Sequence, residues 1–161
     1  MLTLEPFRFS LFVAGWPRTK GSMKCLGART KGGKHILVEE VTMSKPWRTH
    51  VQNDIVREVR RLLPDVRVLP YEGPVLVDAV FQYQRPASGM SVTLPYPTLS
   101  AGTYANGDED KLRRNILDSL QGCGLIGNDC MVVGHSLAGV TKKWAPEGQD
   151  SGVQILVQEA P

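Results

Sequence analysis

Residues 74–83, PVLVDAVFQY, alternate Val75, Val77, Ala79 and Phe81 against Leu76, Asp78, Val80 and Gln82. A period of two held over such a run makes a strand, and a strand needs both a sheet to join and a layer to cover it. Residues 7–15, FRFSLFVAG, repeat the pattern with Phe7, Phe9, Leu11 and Val13 on one face. Elsewhere the period changes. Trp47, Val51, Ile55, Val59 and Leu62/Leu63 recur at helical spacing, Ser44 reads as the N-cap, Pro46 falls in the first turn and Pro64 ends the run. These signals predict a helix over about 45–63. Arg57, Arg60 and Arg61 lie elsewhere on it, where a solvated face is the plainer reading and a DNA contact the other. A second helix is predicted over about 109–121, with Leu112, Ile116 and Leu120 inward and Gly122 at its end. Residues 130–141 and 152–158 read as two final strands, paired with each other. The order β-(β)-α-β-α-β-β predicts a two-layer α/β (α+β) sandwich: one mixed sheet with at least one antiparallel pair, and two main helices.

A chain of 161 residues matches one domain, 1–161, and buries roughly 70% of its unfolded surface without needing disulfides or a structural metal. With 42% hydrophobic and 22% charged residues, wholesale disorder, collagen and coiled coil are excluded. The net charge of +3 is too small to identify a partner, so the distribution of charge decides. Residues 17–35 carry Arg18, Lys20, Lys24, Arg29, Lys31 and Lys34 with no acid, and their glycines make the segment a mobile basic loop or hairpin. A P-loop does not fit there. Gly27 to Gly33-Lys34 is one residue too long, and His35 stands where Ser or Thr would be needed. Lys142 and Lys143 read equally as phosphate contacts or a solvated strand end. A long stretch over 85–107, rich in Pro, Gly, Ser and Thr, reads as a functional loop. Neither a secretory signal nor a membrane span is expected, and three cysteines that cannot all pair fit a reducing cytoplasm.

The chemistry concentrates between Asn106 and Asp129. Asp108 and Asp110 straddle the start of the second helix, Arg114 follows one turn later and Asp118 one turn after that, while Asn128-Asp129 opens the next segment. If Asp129 returns beside the helix start, three carboxylates converge on a hard oxygen site suited to Mg²⁺ or Mn²⁺. Acids in a first helical turn also favour the macrodipole, so capping alone explains the same spacing. An EF-hand loop does not fit, and no second nucleotide-binding signature supports a D-x-D transferase.

The run Asp108-x-Asp110-x-Leu112-x-Arg114-x-x-x-Asp118-x-Leu120, followed by Asn128-Asp129, resembles the signature of the RusA family of Holliday junction resolvases. Gly15-x-Pro17-x-x-Lys20-Gly21-Ser22 is similar to that family's opening turn, and Pro46-Trp47-Arg48 to its W-R helix. The resemblance implies a RusA-like fold and a magnesium-dependent endonuclease that acts as a homodimer. It would resolve four-way junctions and other branched DNA by paired symmetric nicks, in recombination and repair, in a bacterial or phage-infected cytoplasm. It implies Asp108, Asp110 and Asp129 as metal ligands, and Arg114 as a catalytic cation. Asp118, Asn128 and Lys111 would support them from behind. Arg18, Lys20, Lys24, Arg29, Lys31, Lys34, Lys142 and Lys143 would contact DNA. Arg114 stands where the family carries Lys, Asn128 replaces an acid and Lys111 replaces Asn. A branched-DNA-binding protein that keeps the fold without turnover is the alternative.

Overall fold

The structure is a computed structural model that describes residues 2–4, 6–20, 23–29, 31–32, 35–39, 43–64, 69–87, 95–97 and 108–161, with the backbone alone for 2–4, 23–29 and 35–39. Its strands are β1 (Leu2–Leu4), β2 (Phe7–Ala14), β3 (Met23–Arg29), β4 (His35–Glu39), β5 (Val75–Tyr83), β6 (Val132–Gly134), β7 (Lys142–Trp144) and β8 (Gly152–Glu159). Two helices, α1 (Ser44–Leu62) and α2 (Glu109–Gly122), complete a mixed α/β fold.

The main sheet runs β1-β2-β8-β5-β6, with β7 also on β5. Neighbours are antiparallel from β1 through β5, whereas β6 and β7 lie parallel to β5 on its far side. Register aligns Phe9, Val157 and Val77 in one cross-strand row and Val13, Val153 and Phe81 in another. All six of these side chains are fully buried, so the rows form the sheet half of the core. Trp47, Val51 and Ile55 from α1 and Leu112, Ile116 and Leu120 from α2 supply the other half. An antiparallel hairpin, β3 with β4, begins in the basic segment and continues past it to Glu39, separate from the main sheet.

Several sequence expectations need correction. The final strands do not pair with each other: β8 inserts between β2 and β5, and residues 130–141 hold only the short β6. Ser44 is the first residue of α1 and fully buried; its Oγ accepts from Arg48, so it braces the helix instead of capping it. Helix α2 ends at Gly122 as expected, but the glycine that turns the chain away is Gly124. There Gly124, at φ +75°, sends its N–H to Gln121 O while Leu125 N–H reaches Leu120 O, a Schellman closure sealed by two buried leucines. Of the long loop over 85–107, all but 85–87 and 95–97 lies outside the described residues. Among the described residues no helix is long and apolar enough to cross a membrane.

Candidate functional site

Helix α2 begins at Asp108, whose backbone is extended (φ −74°, ψ 139°) and whose carbonyl accepts the first helical bond from Leu112 N–H. The side chain of an N-cap aspartate ordinarily accepts from the first turn. Here it makes no such bond. The Asp108 carboxylate instead lies 3.1 Å from Lys111 Nζ with 65% of the side chain exposed. Asp110 lies in the first turn, 61% exposed, 3.8 Å from the Arg114 guanidinium. Exposed pairs like these contribute little to stability, about 0–1 kcal/mol. Both carboxylates therefore remain available to a stronger electrophile.

One turn further along, the surface becomes a clamp. Asp118 receives Lys20 Nζ at 2.7 Å and Arg48 at 3.8 Å. Arg48 Nε donates to the Oδ1 of fully buried Asn115 at 2.9 Å, and Asn115 Nδ2 donates to Arg18 O at 2.9 Å. Lys20 N–H also donates to Lys111 O. These bonds fasten the segment after β2 across both helices. At its start Gly15 has φ +130°, and an added Cβ there would approach Trp47 to 2.9 Å, so only glycine fits.

The family resemblance implies Asp129 as a third ligand beside Asp108 and Asp110. Within one chain the structure does not. Among the described residues no three His, Cys, Asp or Glu side chains lie close enough to hold one ion. The reason is topological. Asp110 is in the first turn of α2, whereas the chain leaves its last turn to bridge Ile126 to Tyr71 and reaches Val132 opposite Val75, the start of β5. Asp129 begins no strand. It opens an exposed 3₁₀ turn, Asp129–Met131, capped by Asn128 Oδ1 accepting from Cys130 N–H at 2.9 Å. Asn128 is thus a turn former, a job either Asn or Asp performs.

The basic residues divide as well. Lys20 is committed to Asp118, and Arg18 is half-buried with its carbonyl held by Asn115. Lys31 and Lys143 are exposed and Lys142 is half-buried. Lys34 lies outside the described residues, as do the side chains of Lys24 and Arg29. On α1, Arg57 pairs with Asp54 and Arg61 with Glu58, each at 2.7 Å, as a solvated face requires. The Arg61 hydrogen bond holds the Glu58 carboxyl below its usual range.

Sequence reasoning missed a polar wall beside α2. Buried Asp78, on β5, accepts from Ser136 N–H at 3.0 Å, from Ser136 Oγ–H and from Leu137 N–H at 2.9 Å. Those bonds pin residues 135–141 over the sheet edge and leave a cleft of about 530 Å³ that Glu109, Arg113 and His135 also line. An acid in a core strand was the available signal, since a buried carboxylate must find donors.

In comparison with known proteins, no protein-family model matches this chain, and no curated protein matches it at a significant level.

Proposed function

We propose that this chain is a magnesium-dependent, structure-selective endodeoxyribonuclease acting as a homodimer on four-way junctions and other branched DNA. The observation that carries this reading is the start of α2. Two exposed carboxylates, Asp108 and Asp110, stand there uncommitted to capping, with Arg114 one turn on, in a spacing that resembles the RusA signature. Mg²⁺ commonly binds through one or two carboxylates together with water and substrate phosphate, so this pair fits it as a ligand set that DNA completes. Once bound, the metal would supply Lewis-acid stabilisation for phosphodiester hydrolysis.

The chain's own residues do the rest. Lys111 and Arg114 balance the two carboxylates, which are the groups that would hold the cation. Arg114, 68% exposed, then offers its donors to a phosphate whose charge grows in the transition state. Exposed Lys31 and Lys143 contact the DNA backbone, while Lys20, through Asp118 and the Lys111 carbonyl, and Arg48, through Asp118, fasten α2 in place. Two copies related by a two-fold axis present two equivalent sites to a symmetric junction.

The separation of Asp129 from the acidic pair favours a second reading, a branched-DNA-binding protein without turnover. A labelled four-way junction and a matched linear duplex, each incubated with and without Mg²⁺, divide the two. Paired nicks in the junction alone, and with metal alone, support the nuclease. Junction binding without nicks supports the second reading.

A further inference from the structure

The far edge of β5 is interrupted. β6 last pairs at Leu76 opposite Gly134, and β7 first pairs at Phe81 opposite Lys142. Between them the edge faces the cleft beside α2. Backbone groups of alternate residues point to the same side of a strand. Phe81 N–H donates to Thr141 O and Tyr83 O accepts from Ala145 N–H on this side, so the Ala79 N–H and C=O point the same way. Val77 O, also on this side, is taken by the Arg113 guanidinium at 2.9 Å. Among the described residues the two Ala79 groups have no such partner. Ala79 lines the cleft, is 4% exposed and is walled in by residues 135–141.

A donor and an acceptor side by side in a pre-formed slot select for a ligand. An anion is disfavoured, because the carbonyl and Asp78 oppose it. A peptide strand is disfavoured, because only four residues of β5 lie between β6 and β7 and Val77 O among them is already taken by Arg113. A planar heterocycle with an adjacent donor and acceptor on one edge matches. Each nucleobase presents such an edge. The cleft volume, about 530 Å³, is within the range of small-molecule sites. We propose that this cleft binds a single nucleobase, with its hydrogen-bonding edge against Ala79 and its ring beside His135. Glu109 links the cleft to the acidic start of α2, so the proposal rests on the nuclease reading for the source of the base. That source is a nucleotide displaced at a branch point and read beside the cutting site.

The test is amide NMR on the full chain, titrated with dAMP, dCMP, dGMP and dTMP, and with deoxyribose 5-phosphate as the base-free control. The expected result is saturable shifts at Ala79, His135 and Thr141 with at least one nucleotide and none with the control. Ala138→Trp, which fills the cleft from an exposed loop position, should weaken that binding at least tenfold, and His135→Ala severalfold. Equal shifts with deoxyribose 5-phosphate, or none at Ala79 with any nucleotide, overturn the proposal. So does undiminished binding in both variants. Junction cleavage without these shifts overturns the base site alone. Shifts without cleavage overturn the nuclease reading alone.

Discussion

Arg114 stands one turn beyond Asp110, more than half in solvent and 3.8 Å from its carboxylate. That distance is too long for a bidentate clamp, so its value lies in charge. Arg114→Ala should lower the single-turnover cleavage rate ~10²-fold, while Arg114→Lys keeps most of it, because either cation stabilises a developing phosphate charge. Equal damage from both, with folding unchanged by circular dichroism, would make the residue a structural clamp. Tyr83 offers a test independent of activity. It is fully buried, and loss of solvation raises its phenol well above the ordinary value of 10.0, only partly offset by the nearby Arg18 charge. An unfolded tyrosine ionises near pH 10 and the folded one resists. The stability it contributes is therefore full below about pH 10 and is lost as pH climbs toward the raised folded-state value. Melting temperatures of wild type should fall more steeply above pH 10 than those of Tyr83→Phe. Parallel curves would show that Tyr83 is not desolvated.

At the scale of elements, the Arg48–Asn115 bond joins the two helices, and no sequence pattern announces it. Arg48→Ala leaves the fully buried Asn115 amide oxygen without its donor, which should cost about 1–3 kcal/mol in urea unfolding. A change below about half a kcal/mol would mean water replaces the guanidinium. Gly124→Ala meets no neighbour within 4 Å but must adopt φ +75°, so it should cost about 1–2 kcal/mol through backbone strain alone. The helices were legible because Trp47, Val51 and Ile55, like Leu112, Ile116 and Leu120, repeat on one face. Strands β2, β5 and β8 were legible from alternation. Residues 130–141 read as one long strand where only the short β6 forms, and β7 is not legible at all, since three residues cannot display a period.

At the scale of the molecule, what stayed hidden is what depends on non-local pairing. No local pattern in residues 152–158 shows that β8 inserts between β2 and β5, and the interrupted edge at Ala79 follows only once β6 and β7 are placed. The acidic start of α2 was legible because Asp108 and Asp110 precede a clear apolar period. The position of Asp129 was not, because it depends on where the chain goes after Gly124. Charge at this scale reads out in salt dependence. Replacing Lys31 and Lys143 with alanine should lower the slope of log affinity against log salt by about 0.9 for each phosphate that is no longer neutralised. An unchanged slope would remove both lysines from the DNA surface.

In the proposed nuclease, Asp108 and Asp110 would hold the cation on which cleavage depends. Single-turnover cleavage of a labelled four-way junction by Asp110→Asn at saturating Mg²⁺, with junction affinity measured on the same samples, tests it most directly. Cleavage should fall at least ~10²-fold with affinity equal to wild type or tighter, because the substitution removes a proposed metal ligand and a charge that repels phosphate together. Cleavage at the wild-type rate would contradict it.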